Sequence, residues 1–222
     1  MSFKTLLARS ATALVACALL VALCYFFVDR PVALFVHDHR LNRFELLRWL
    51  TYSPIVLEGM ALIVLVLGAA RLAWGPFSRV ERTLFAAAVS LAVALAFKNS
   101  LKVAFGRYWP DTWVGNNPSL LQDGAYGFHP FHTGAAYESF PSGHTTRIVA
   151  VMAVAWVAFP GGRWLWVLAC GSVVVGLLGM NYHFVGDVVA GAFVGSVTGR
   201  YAAHFFRLGG AGAESLTSKR DG

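Results

Sequence analysis

Six runs of apolar residues divide this chain, at about 7–28, 55–74, 83–105, 141–159, 164–180 and 184–206. Each approaches the roughly 20 residues that cross a hydrocarbon core as an α-helix. In lipid, a helix satisfies every backbone N–H and C=O within its own segment, which an open extended strand does not. The pattern therefore predicts an all-α fold, a polytopic membrane helical bundle of about six transmembrane helices. Short loops, some with Gly and Pro, separate the runs. Between the first two, residues 41–50 read L-N-R-F-E-L-L-R-W-L, with Leu41, Phe44, Leu47 and Leu50 at helical spacing. Two readings are open there: a helix lying in the membrane interface, or a short cap packed on the bundle. In the sixth run Gly191, Gly195 and Gly199 recur every four residues, a small-residue stripe suited to close helix packing.

Composition supports the membrane reading. Of 222 residues, 57% are hydrophobic and 13% charged, against about a quarter charged in a soluble domain. The formal net charge of +7 does not point to nucleic acid, because the basic residues lie between apolar runs rather than in one block. The bilayer is the expected partner. Lys4, Arg9, Arg71, Arg79, Arg82, Arg163, Arg207, Lys219 and Arg220 collect on one side, which positive-inside topology makes cytoplasmic. The first run is read as a retained span, since no clear small-x-small cleavage site follows it. Cys17, Cys24 and Cys170 lie in apolar runs without metal-ligand spacing and read as small buried side chains. Residues 1–208 are expected to form the membrane-embedded domain, and 209–222 a polar, mobile cytoplasmic tail.

The opposite side collects Arg30, Arg40, Arg43 and Arg48, and also Lys98, Lys102, Arg107 and Arg147 at span ends. Charges at such positions call for a functional reason. Three polar clusters converge there: Lys102 to Pro110, Pro141 to His144, and His183 to Asp187. His183 and Asp187 are four apart and share a helix face. A carboxylate bonded to one imidazole nitrogen fixes the tautomer and stabilises the imidazolium, which prepares His183 as nucleophile or base. Ser142 and Gly143 begin a helix, where free N–H groups and the helix dipole attract a phosphate. His144 stands beside that site as a proton donor. Lys102 and Arg107 add cations suited to phosphate oxygens. Lys98, one turn before Lys102, is read mainly as a snorkelling or paired lysine, with lining the same cavity as the alternative. The combination points to phosphoryl transfer. No acidic cluster calls for a metal, and no cofactor is expected.

In these residues the chain resembles the type-2 phosphatidic acid phosphatase family, whose soluble relatives include vanadium haloperoxidases. The family's motifs are Lys, six residues, Arg-Pro; then Pro-Ser-Gly-His; then Ser-Arg, five residues, His, three residues, Asp. The resemblance implies that His183 is a nucleophile forming a phosphohistidine, oriented by Asp187. It implies that His144 is the general acid, and that Lys102, Ser142 and Gly143 hold phosphoryl oxygens. It implies a metal-independent phosphatase acting on a lipid phosphate or pyrophosphate, with the site on the non-cytoplasmic face of a bacterial inner membrane. Two departures stand out. Trp109-Pro110 replaces Arg-Pro, and Gly176-Leu177 replaces Ser-Arg. Two expected cations are thus absent, and Arg107 and Arg147 are the candidate replacements. The alternative for Arg147 is an ion pair with Glu58 or Glu138.

The loop from Gly106 to Phe140 is rich in aromatics and is expected to cover the site among lipid headgroups. Its His129 and His132 are read as interfacial polar contacts, with a metal pair as the alternative. Three other functions compete with hydrolysis: lipid-to-lipid phosphotransfer, non-catalytic phospholipid binding, and transport. Transport predicts paired interrupted spans related by a repeat, and no repeat is evident.

Overall fold

A computed structural model describes residues 2–113 and 115–209. The expected tail therefore lies, apart from Gly209, outside the described residues. Helix α1 (Phe3–Leu23) runs through a π-helical turn (Cys24–Val28) into α2 (Asp29–Asp38). After it come α3 (Glu45–Leu50), α4 (Ser53–Arg71), α5 (Arg79–Phe105), the one-turn α6 (Leu120–Asp123), α7 (Gly143–Ala158), α8 (Arg163–Gly179) and α9 (Val185–Phe205). Among the described residues, extended pairing is confined to isolated bridges in the 107–138 loop.

All six expected spans are helical. Four helical stretches are long and apolar enough to cross a membrane: Phe3–Asp38, Glu45–Trp74, Arg79–Phe105 and Pro160–Gly179. The expected fourth and sixth spans do not meet that standard. Helix α7 has 16 residues, and α9, with 21, carries Asp, Arg, Ser, Thr and four glycines. The physical reason is their position. They form the most closely packed pair of the bundle and both also pack on α5, so protein covers much of their surface. The outer helices instead expose Leu19, Phe26, Leu62 and Val66, a surface that lipid covers.

The glycine stripe explains the central contact. A Cβ on Gly191 would stand 2.6 Å from the Ser142 carbonyl oxygen, and one on Gly195 2.7 Å from the Ala150 nitrogen. On Gly199 it would stand 2.5 Å from Ala153 Cβ. Backbones at this range admit only glycine. The helix that begins with Gly143 is thereby clamped onto the helix that carries Asp187. Helix α5 starts with a capping box, Ser78 Oγ accepting from the Glu81 amide and the Glu81 carboxylate accepting from the Ser78 amide. The 41–50 segment packs on the bundle: the Leu47 carbonyl and Leu50 Cβ lie 2.6 and 3.0 Å from where a Cβ on Gly176 would be. Leu46 and Trp49 face outward, 68% and 66% exposed.

Candidate active site

The three clusters meet at one cavity of about 500 Å³. His183, Tyr182, His144, Gly143, Lys102 and Trp109 line it, with Lys98, Arg147, Glu138 and Trp113. Each arrives from a different local cause. His183 sits in the turn between α8 and α9. Asn181 makes that turn with φ of 53°, and its side chain donates to the Ala33 carbonyl at 3.1 Å. His144 and Gly143 form the first turn of α7, with Ser142 as N-cap. Among the described residues, nothing accepts a hydrogen bond from the Gly143 or His144 amides, as the start of a helix leaves them.

The His183 ring centroid lies 6.3 Å from that of His144 and 5.2 Å from that of Trp109. Both imidazoles border the same cavity. His183 Nδ1 lies 3.5 Å from Asp187 Oδ2, too long for a full hydrogen bond. Such contacts often tighten only when substrate binds. Burial holds the His183 imidazole below the ordinary range, and the nearby Asp187 carboxylate opposes that shift. The ring is therefore neutral at neutral pH, the form a nucleophile needs.

Asp187 is fully buried and held at both oxygens. Oδ1 accepts from Arg107 Nη1 at 2.6 Å, and Oδ2 accepts from Ser139 Oγ at 2.6 Å and from the Phe184 amide at 3.0 Å. Two of the expected phosphate ligands prove to be committed here. Arg107 has no exposure and does not line the cavity. Its second nitrogen, Nη2, donates to Asp29 Oδ2 at 2.6 Å, and Phe184 and Phe128 rings flank its guanidinium at 4.4 and 4.7 Å. Ser142 is also fully buried. Its amide donates to the Asp187 carbonyl at 3.0 Å, and its hydroxyl oxygen caps Thr145 N at 3.3 Å. Neither the Arg107 nor the Ser142 side chain, both expected to contact phosphate, lines the cavity. Arg107 neutralises buried carboxylates, and Ser142 joins α7 to α9.

The cations that do face the cavity are Lys102, Lys98 and Arg147. Lys102 Nζ donates to the Glu138 carbonyl oxygen and lies 3.7 Å from the Glu138 carboxylate. Arg147 Nε donates to Glu58 Oε2 at 2.5 Å, the ion pair named above as the alternative. Its Nη1 still comes within 2.9 Å of where a Cβ on Gly143 would be, so the guanidinium reaches the mouth of the anion site. Lys98 is buried at 8% exposure and makes no hydrogen bond or ion pair among the described residues. Its Cδ and Nζ lie 3.3 and 3.7 Å from the same Gly143 position. It points into the cavity rather than snorkelling.

Sequence reasoning missed Asp29 and Ser139 as parts of this site, and placed Trp109 in the covering loop without giving it a position beside His183. Trp109 stands where the family motif has arginine and forms a wall beside His183. The signal for Asp29 was a carboxylate closing an apolar run, a placement that calls for a partner. His129 and His132 stand 5.8 Å apart beside Tyr137. No group of three or more His, Cys, Asp or Glu side chains is assembled for a metal among the described residues.

A membrane helical bundle that sets two histidines, a buried carboxylate and several cations around one helix start defines a site for an anionic group. The chain belongs to the PAP2 superfamily, whose family model matches residues 83–209, more than half of its length. It is similar to proteins curated as Lipid A 1-phosphatase. In Rhizobium etli the identity is 36% over 99 residues, 44% of this chain and 39% of that protein. In Rhizobium johnstonii it is 35% over 100 residues, 44% and 37% respectively. The chain thus matches about two fifths of the length of these relatives. No solved structure gives a significant match.

Proposed function

We propose that this protein is a membrane lipid phosphatase that removes phosphate from a lipid phosphate or lipid pyrophosphate through a phosphohistidine at His183. The observation that carries the reading is the convergence of His183, His144 and the amide-lined start of α7 on one cavity with three cations. His183 Nδ1 faces Asp187, which leaves Nε2 to attack phosphorus. The P–O bond to the lipid breaks, and His144 gives its proton to the departing oxygen. Water then attacks the phosphoryl-histidine, His144 takes a proton from it, and phosphate leaves with His183 restored. Lys102, Lys98, Arg147 and the Gly143 and His144 amides stabilise the charge spread over the transferring oxygens. Lys98 joins Arg147 here as a candidate for the cations missing from the family motifs.

The distribution of Lys and Arg supports a site on the non-cytoplasmic face. The curated relatives make the phosphate of a saccharolipid headgroup the first substrate to try, ahead of phosphatidate, phosphatidylglycerol phosphate and prenyl pyrophosphate. The test is phosphate release by the detergent-purified protein, in EDTA, across these four lipids, beside His183→Ala. Turnover of at least one lipid, abolished in the variant, is expected. No turnover on any of them would favour a non-catalytic binder. A requirement for added metal would refute the mechanism, and phosphate appearing on a second lipid instead of in solution would make the enzyme a transferase.

A further inference from the structure

We infer that Asp29, in the N-terminal helix and outside the family-matched region, is a positioning residue for the reaction: it offsets the charge of Arg107 so that Asp187 keeps its own for His183. Asp29 lies just past the π-helical turn Cys24–Val28. Such turns insert an extra residue and frequently mark functional positions. Its carboxylate is fully buried and accepts from Arg107 Nη2 at 2.6 Å and from the Gly186 amide at 2.8 Å. Gly186 immediately precedes Asp187. One side chain on α2 thus grips both the arginine that holds Asp187 and the helical turn that carries it. A Cβ on Gly186 would stand 3.1 Å from Asp29 Oδ2 and 3.4 Å from Arg107 Nη1, so the ion pair packs tightly on this glycine.

The charge count gives the reason for a second carboxylate. Arg107 alone would neutralise Asp187. The imidazolium character that His183 acquires when phosphorylated would then have no counter-charge on its Nδ1 side, away from the phosphoryl oxygens. Two carboxylates around one guanidinium leave the buried group at a net −1, beside the ring that becomes positive. The other groups facing His183 are Lys102 from α5 and His144 from α7, with the Trp109 ring. Lys98 and Arg147 also line the cavity, and the carboxylate that lines it, Glu138, is half exposed and lies 3.7 Å from Lys102 Nζ, so the buried negative charge beside His183 Nδ1 comes from the Asp29–Arg107–Asp187 group.

The inference rests on His183 being the nucleophile, and the test separates the two. In Asp29→Asn, kcat per folded molecule should fall about 10- to 100-fold, by analogy with groups that orient metal-ligating histidines, with KM little changed. The acid limb of kcat/KM should move to lower pH, because the imidazolium has lost a neighbouring negative charge. Asp29→Glu should recover part of kcat. In Asp29→Asn/Arg107→Met both charges are gone, Asp187 again stands at −1, and the acid limb should return toward its wild-type position. A purely structural Asp29 would instead lower folded yield and leave the pH profile in place. Should Asp29→Asn fold poorly, the pH profiles of Asp29→Glu and the double variant carry the test. Unchanged kcat and acid limb in Asp29→Asn, beside inactive His183→Ala, would overturn the role of Asp29 alone. Full turnover by His183→Ala would overturn the reading beneath it.

Discussion

Arg147 offers the sharpest test of how this site manages without the two family arginines. Its Nε is bound to Glu58 at 2.5 Å, which fixes the guanidinium plane and leaves its Nη groups at the cavity beside Gly143. A hydrogen bond to a charged group is worth about 1.5–3 kcal/mol. At about 1.36 kcal/mol per decade of rate, Arg147→Ala should lower kcat/KM by about 10- to 150-fold. Stability should change little. The Arg147 and Glu58 side chains are 18% and 41% exposed, and loss of a pair still reached by solvent should cost about 1 kcal/mol. Glu58→Gln keeps the side-chain shape and should cost less activity than Arg147→Ala. The assay is phosphate release from the best lipid of the panel, per molecule of monodisperse protein in detergent. Activity of Arg147→Ala within twofold of wild type would refute the assignment and leave Arg147 as a structural ion pair.

Three further outcomes are expected. Lys98→Met preserves the apolar stem and removes the charge, so kcat/KM should fall by about tenfold or more, while folded yield holds; full activity would return Lys98 to a structural role. Gly191→Val pushes a side chain into the Ser142 carbonyl and should destabilise by about 1–3 kcal/mol, read as earlier thermal unfolding in detergent, with activity falling as α7 leaves α9; an unshifted melt would contradict the packing account. Because burial depresses the His183 imidazole, its neutral form persists below the ordinary value of about 6.5. The acid limb of kcat/KM should accordingly lie below that pH, and a limb above it would contradict the neutral-nucleophile assignment.

The helices were legible because each apolar run needs internally bonded backbone, and boundaries fell within a few residues of expectation. The first helix was harder. Asp29 and Arg30 read as a span end, yet the chain stays helical to Asp38. Nothing local shows that Asp29 finds a partner at Arg107, 78 residues away. For the same reason Arg107 read as a free cation for substrate, when two distant carboxylates already hold it. Local pattern did bring the candidate pair together: His183 and Asp187 lie four apart and their side chains meet, although His183 sits in the turn before α9 and not on its face, and Gly143 and His144 open a helix. Ser142 shows the limit of that logic, since its amide is free by helix position but is taken by the Asp187 carbonyl from α9. Lys98 was legible as a charge in an apolar helix, but its direction depends on which face of α5 meets Gly143.

The proposed mechanism requires a covalent bond between phosphorus and His183. Substrate labelled with ³²P at the scissile phosphate, quenched in alkali during steady-state turnover, should leave label on the protein that survives base, is lost in acid, and maps to His183. That label should be absent from His183→Ala. Turnover in wild type with no protein-bound label at any quench time, or turnover retained in His183→Ala, would contradict it.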